Sequence, residues 1–136
     1  NGATKWLSSN KALILLNLRY KTVDHFWFSF FHEASHILND NKKFLYINDC
    51  KEDDEKEKRA NSFGAEILIP RKYNSDIQCL KSYNDILSFA KKINISESIL
   101  VGRYQHLTGK YNCFNKLKKN LDWDIILASA KSNFIS

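Results

Sequence analysis

Phe31-His32-Glu33-Ala34-Ser35-His36-Ile37-Leu38 is the stretch on which the fold turns. It carries an H-E-x-x-H pattern in a segment that reads as helix. Residues four apart on a helix share a face, so the imidazoles of His32 and His36 can reach one metal ion. Glu33 lies near the same ion and is placed to take a proton from water that the ion activates. That is the core of a zinc-dependent peptidase. The pentapeptide alone is only moderately specific, and a structural pair of core histidines is the plainer alternative.

Working outward, Asp24 is the expected N-cap of a helix running from His25 to about Leu38. Trp27, Phe30 or Phe31, Ala34 and Ile37 or Leu38 recur every three or four residues and predict its core-facing side. His25, Ser29, His32 and His36 fall on a different stripe, one that the core does not need. Asn39-Asp40-Asn41 ends the helix with turn chemistry. Upstream, the apolar run from Ala12 to Leu18 reads as a strand, with buried helix as the alternative. Arg19 to Thr22 is a polar connection, and Phe44 to Ile47 is read as a second short strand.

Lys51 to Arg59 is dense in mixed charge. Its acidic part, Glu52 to Glu55, suits a helix N-terminus, where the macrodipole favours negative charge. The helix continues through Ala60, Phe63, Gly64, Ile67 and Leu68 until Pro70 stops it, with Ile69 pushed toward extended backbone. Gly64 costs such a helix about 1 kcal/mol relative to Ala, and close approach of a neighbouring helix would explain it. Ser82 is the expected cap of a third helix, Tyr83 to Ile93, with Ile86, Leu87, Ala90 and Ile93 inward. Ser96 opens a fourth, with Ile99, Leu100, Arg103 and Leu107, ended by Gly109. This pair is compatible with helix-turn-helix geometry, although the signal for DNA binding is weak. The tail from Asn115, with Leu117, Leu121, Trp123, Ile125 and Ile126, is expected to pack back on the body.

Composition sets the outer bounds. At 136 residues and 43% hydrophobic the chain is the size of a single domain, 1–136, able to bury a core. Its last part, about 82–136, is expected to be helical. No apolar run is long enough to span a bilayer, and no secretory leader is legible at the start. Met is absent, so a fragment of a longer chain, with a further N-terminal domain, is expected. Cys50, Cys79 and Cys113 are odd in number and widely spaced, which fits a reduced, cytoplasmic protein better than a disulfide scaffold. The net charge of +6 comes from scattered Lys, densest at Lys116, Lys118 and Lys119, and reads as solvated surface. Nucleic-acid contact is therefore expected only through a separate domain, and no membrane contact is expected.

A catalytic zinc site needs a third protein ligand and an open position. Glu57 is the best candidate, on a separate helix with Asn61 one turn later on the same face. A surface ion pair with Lys56 or Lys58 is the bland reading of that Glu. His25 lies about 10 Å along the axis from His32 and cannot share the ion. Asp53, Asp54 and Glu55 are weaker candidates, solvated at a helix start. His106 could approach from the other side, more naturally as a donor to a developing oxyanion. Arg103 and His106 are kept as candidates for substrate or transition-state contact, with packing or surface roles beside them.

With these residues in hand, the chain resembles the ImmA/IrrE family of zinc metallopeptidases. That family pairs an H-E-x-x-H helix with a helix bearing E-x-x-A-N/D, then F-A-x-x-L-L-x-P. The second pattern here reads Glu57-Lys58-Arg59-Ala60-Asn61-Ser62-Phe63-Gly64-Ala65-Glu66-Ile67-Leu68-Ile69-Pro70. Val101 to His106 also looks like a segment of members that accompany helix-turn-helix, antitoxin-like regulators. The resemblance spans about 5–125. Ser35 replaces a common Gly and Gly64 a common Ala, and neither removes a ligand. It implies one Zn²⁺ on His32, His36 and Glu57, with Glu33 as general base. It implies an α+β, mainly helical, gluzincin-like core: an active-site helix crossing a second ligand-bearing helix, with a small sheet whose edge could hold extended substrate. The expected activity is hydrolysis of a peptide bond in a partner protein, a transcriptional repressor or toxin partner. The competing expectation is a regulatory or antitoxin-type binding module on the same fold, without proteolysis.

Overall fold

The computed structural model describes residues 2–17, 21–40 and 53–122. Its first elements are an antiparallel hairpin, β1 (Gly2–Ser8) and β2 (Lys11–Leu16), paired from Gly2↔Leu16 to Ser8↔Lys11 with an irregularity between Trp6 and Ser8. Side chains alternate across the pleat. Thr4, Trp6, Ala12, Ile14 and Leu16 are half-buried, while Leu7, Leu13 and Leu15 remain exposed on the opposite face. The strand expected at Ala12 to Leu18 is thus β2, ending at Leu16. Strand β1 is not foreshadowed in the sequence, because its Gly-Ala-Thr-Lys-Trp-Leu-Ser run offers Trp6 as its one large inward apolar side chain.

Among the described residues five helices follow: α1 (Val23–Asn39), α2 (Asp53–Leu68), α3 (Asn74–Gln78), α4 (Tyr83–Ile93) and α5 (Glu97–Thr108). The fold is therefore α+β and mainly helical. Pro70 breaks the chain after α2, and a 3-10 turn at Arg71–Tyr73 leads into short α3. Ser82 caps α4 in a capping box: its hydroxyl accepts from the Asp85 N–H, and the Asp85 carboxylate accepts from the Ser82 N–H. Those backbone bonds, from Lys81 and Ser82, hold the Asp85 carboxyl below its ordinary pKa. Asn94 and Gly109 end α4 and α5 in left-handed backbone, at φ 56° and 72°. Phe44 to Ile47 and the tail beyond Asp122 lie outside the described residues.

The apolar core lies in the second half of the chain. Ile69, Ile77, Ile86, Phe89, Ala90, Leu100, Val101 and Tyr104 form one buried cluster, with Leu117 packed against it. In α4 the inward residue beside Ile86 and Ala90 is Phe89, whereas Leu87 is exposed.

Two expectations for α1 need correction. Asp24 is not its N-cap. Thr22 occupies that position, and Asp24 lies buried in the first turn, accepting from the Thr22 hydroxyl at 2.5 Å and pairing with Lys118 at 3.0 Å. The face expected to be buried is also only partly covered: Phe30, Phe31, Ala34 and Ile37 are half-buried. The residues α1 buries best are Asp24, Glu33, Ser35 and His36, while Trp27 is 39% and Leu38 69% exposed. The cause is packing partners. Helix α1 lies against the hairpin, α2 and α5, and those neighbours meet its polar stripe. Among the described residues, no helix is long and apolar enough to cross a membrane.

Candidate metal centre

The histidines and Glu57 meet because α1 and α2 approach closely. A Cβ built on Gly64 would lie 3.4 Å from both His32 N and Phe28 O of α1. Across that contact Glu57 faces both imidazoles. Its Oε2 is 3.0 Å from His32 Nε2, its Oε1 is 3.0 Å from His36 Nε2, and the two Nε2 atoms are 3.3 Å apart. Glu57 is 46% exposed, so the cluster opens to solvent on that side.

The other ring nitrogens are tied down. His32 Nδ1 lies 2.8 Å from Asn61 Oδ1, and His36 Nδ1 lies 2.6 Å from Asp40 Oδ2. Both oxygens can accept from Nδ1–H, which leaves each Nε2 directed at Glu57. Two imidazole nitrogens and a carboxylate thus converge at 3.0–3.3 Å, the donor set of a metal site. A four-coordinate ion with bonds of about 2.0–2.2 Å sets its ligands roughly 3.3 Å apart. The residues present therefore fit a metal ion, and His32, His36 and Glu57 form a group able to hold one.

Glu33 is directed to the hairpin. It is 7% exposed, and its Oε2 accepts a 2.6 Å hydrogen bond from the Thr4 hydroxyl of β1. The notch it occupies exists because residue 2 is glycine: a Cβ there would fall 2.9 Å from Glu33 Oε1. Ser35, 2% exposed, faces away from the ligands and accepts from Asn39 Nδ2 at 3.0 Å.

A family model described as the IrrE N-terminal-like domain, a peptidase family, matches residues 3–104, more than half of the chain. The chain belongs to this family. No curated protein and no solved structure matches it. The IrrE-like match begins in β1 and ends inside α5, short of the end near residue 125 that the resemblance implied. The helices that carry His32, His36 and Glu57 both lie within it.

The remaining candidates are elsewhere. The Arg103 guanidinium serves the C-terminal end of α2, donating to the Ile69 carbonyl at 3.0 Å, to Asn74 Oδ1 at 2.8 Å, and to the Ala65 carbonyl. Ala65 lies two helical turns, roughly 12 Å, beyond Glu57 along the axis. Burial lowers the Arg103 pKa, and nearby Glu66 opposes that shift. His106 is exposed near the end of α5 and does not join the ligand group. His25 is 63% exposed beside Asp24, and Asp54 and Glu55 are exposed at the start of α2. Asp40 and Thr4 were the residues sequence reading missed. Asp40 is legible as the residue one turn past His36, within the turn that stops the helix. Thr4 carried no signal, because only the hairpin's packing on α1 brings it to Glu33.

Proposed function

We propose that this IrrE-like domain is a zinc-dependent endopeptidase that cleaves a partner protein, a DNA-binding repressor or toxin partner, in stress or mobile-element control. One observation carries the reading: two imidazole nitrogens and a carboxylate converge at 3.0–3.3 Å, one residue from a buried Glu. The His₂Glu donor set suits zinc by type. Bound there, the ion would acidify water and polarise a substrate carbonyl. The chain supplies the rest. Glu33 accepts the proton of the attacking water and returns it to the departing amine. Thr4 holds one Glu33 oxygen and so fixes the carboxylate's orientation. A peptide substrate would approach from the solvent-exposed side of Glu57. A cytoplasmic setting accords with the free thiols of Cys79 and Cys113.

A regulatory or antitoxin-type binding module is the second reading, and one observation favours it. The Glu33 carboxylate is engaged by β1, as a purely structural Glu would be. Glu33→Gln separates the two. Zinc-loaded chain is mixed with candidate repressor proteins and fragments are read by mass spectrometry. The variant should bind zinc normally and cleave about 10² to 10⁴ times more slowly. A cellular phenotype that survives the substitution intact would decide for the binding module.

A further inference from the structure

We propose that Asp40 is a positioning residue of the metal centre. Its buried carboxylate holds His36 in the Nδ1–H form and balances the charge of the bound ion, and so sets the affinity for metal. The inference rests on the metal-binding reading above.

Asp40 is the C-cap of α1, four residues past His36. Its backbone turns extended there, at φ −93° and ψ 149°, while its N–H still bonds the His36 carbonyl. That turn holds the carboxylate beside the imidazole. The side chain is 4% exposed, and Oδ2 is 2.6 Å from His36 Nδ1. A bond this short from a ring N–H to a carboxylate is of the strong, charge-assisted kind.

Helix stability does not explain the residue. The C-terminal end of a helix carries partial negative charge, so a carboxylate there is opposed by the macrodipole. Burial adds to the cost, since a carboxylate out of water needs a compensating charge. A dication on the far nitrogen of the same ring supplies it. Among His32, His36 and Glu57 only Glu57 brings a negative charge to such an ion, and Asp40 adds a second one behind the His36 ring. His32 has only a neutral amide, Asn61, in the equivalent place. The two imidazoles are therefore held by unequal partners, a carboxylate on His36 and an amide on His32.

The test is zinc affinity by competition with a chromophoric chelator, with the cobalt(II) absorption spectrum as second readout. The full chain is compared as wild type, Asp40→Ala and Asp40→Asn, and thermal unfolding of each metal-free protein is recorded alongside. Asp40→Ala is expected to bind zinc about 10- to 100-fold more weakly and to show an altered cobalt spectrum. Asp40→Asn, which can still accept from Nδ1–H, should fall between it and wild type. The metal-free melting temperature should not drop. Unchanged zinc affinity in both variants would overturn this role alone. A loss of affinity matched by unfolding of the metal-free protein in both would overturn it as well. Wild type that takes up no zinc would overturn the metal reading, and this one with it.

Discussion

Gly64 shows how much of the centre depends on one missing side chain. Glu57 reaches both histidines because α2 can lie against α1 at that point, with only 3.4 Å between a notional Cβ and the α1 backbone. Alanine just fits at that distance, and its better helix propensity offsets the tightness. Gly64→Ala should therefore stay within about 1 kcal/mol of wild type. Gly64→Leu has no such room and should cost about 1–3 kcal/mol by overpacking, with zinc affinity falling as Glu57 is pushed back. Thermal melts and a zinc titration of both variants check this. A Leu variant that melts and binds like wild type would show that the helices are not held this close.

At the scale of elements, α2 carries Glu57 near its start and is anchored at its end. Arg103 of α5 binds two carbonyls there and Asn74 as well. The guanidinium shares the Ala65 carbonyl with the Ile69 N–H and also takes the Ile69 carbonyl, and hydrogen bonds from a charged donor typically contribute about 1.5–3 kcal/mol. Arg103→Ala should destabilise the chain by about that much, while metal-free Nε2–Glu57 geometry is served by residues at the other end of the helix. Its zinc affinity at temperatures well below unfolding should stay within a few fold of wild type. Denaturant titration gives the first quantity and chelator competition the second. Abolished zinc binding in a folded Arg103→Ala protein would return Arg103 to the site.

At the scale of the whole molecule, the residues after α5 are tied to the start of α1. Asp24 pairs with Lys118, the Val23 N–H bonds the Lys119 carbonyl, and the Leu121 N–H bonds the Lys21 carbonyl. Gly102 permits the contact, because a Cβ there would meet Asp24 Oδ2 at 2.6 Å. Lys118 thus leaves the solvated basic surface expected of its cluster: its side chain is 13% exposed. Breaking a buried pair from one side strands a charge, so Asp24→Ala and Lys118→Ala should each cost about 3–5 kcal/mol. The double substitution should cost less than their sum. Strict additivity in denaturant titrations would show that the pair is not coupled.

The sequence by itself determined the local elements and the chemistry they carry. Tyr83–Ile93 was legible with its Ser82 cap, as were the Gly109 stop, the Pro70 break and the two motif helices, because caps, breakers and helical periodicity act within a few residues. The shared face of His32 and His36 was likewise readable from their spacing, and Glu57 stood out as the best candidate for a third ligand, a role the resemblance implied. Which face of α1 turns inward was not. Trp27 and Leu38 look like core and are exposed, while Glu33 and His36 look like surface and are buried. Burial depends on which neighbours cover a stripe, and the hairpin, α2 and α5 come from distant parts of the chain. Strand β1 was missed for the same reason, since its alternation makes sense only against β2 and α1. The contact of Thr4 with Glu33, and the seating of the Asp40 carboxylate on His36, were decided by tertiary packing, because each needs a geometry that no local rule specifies.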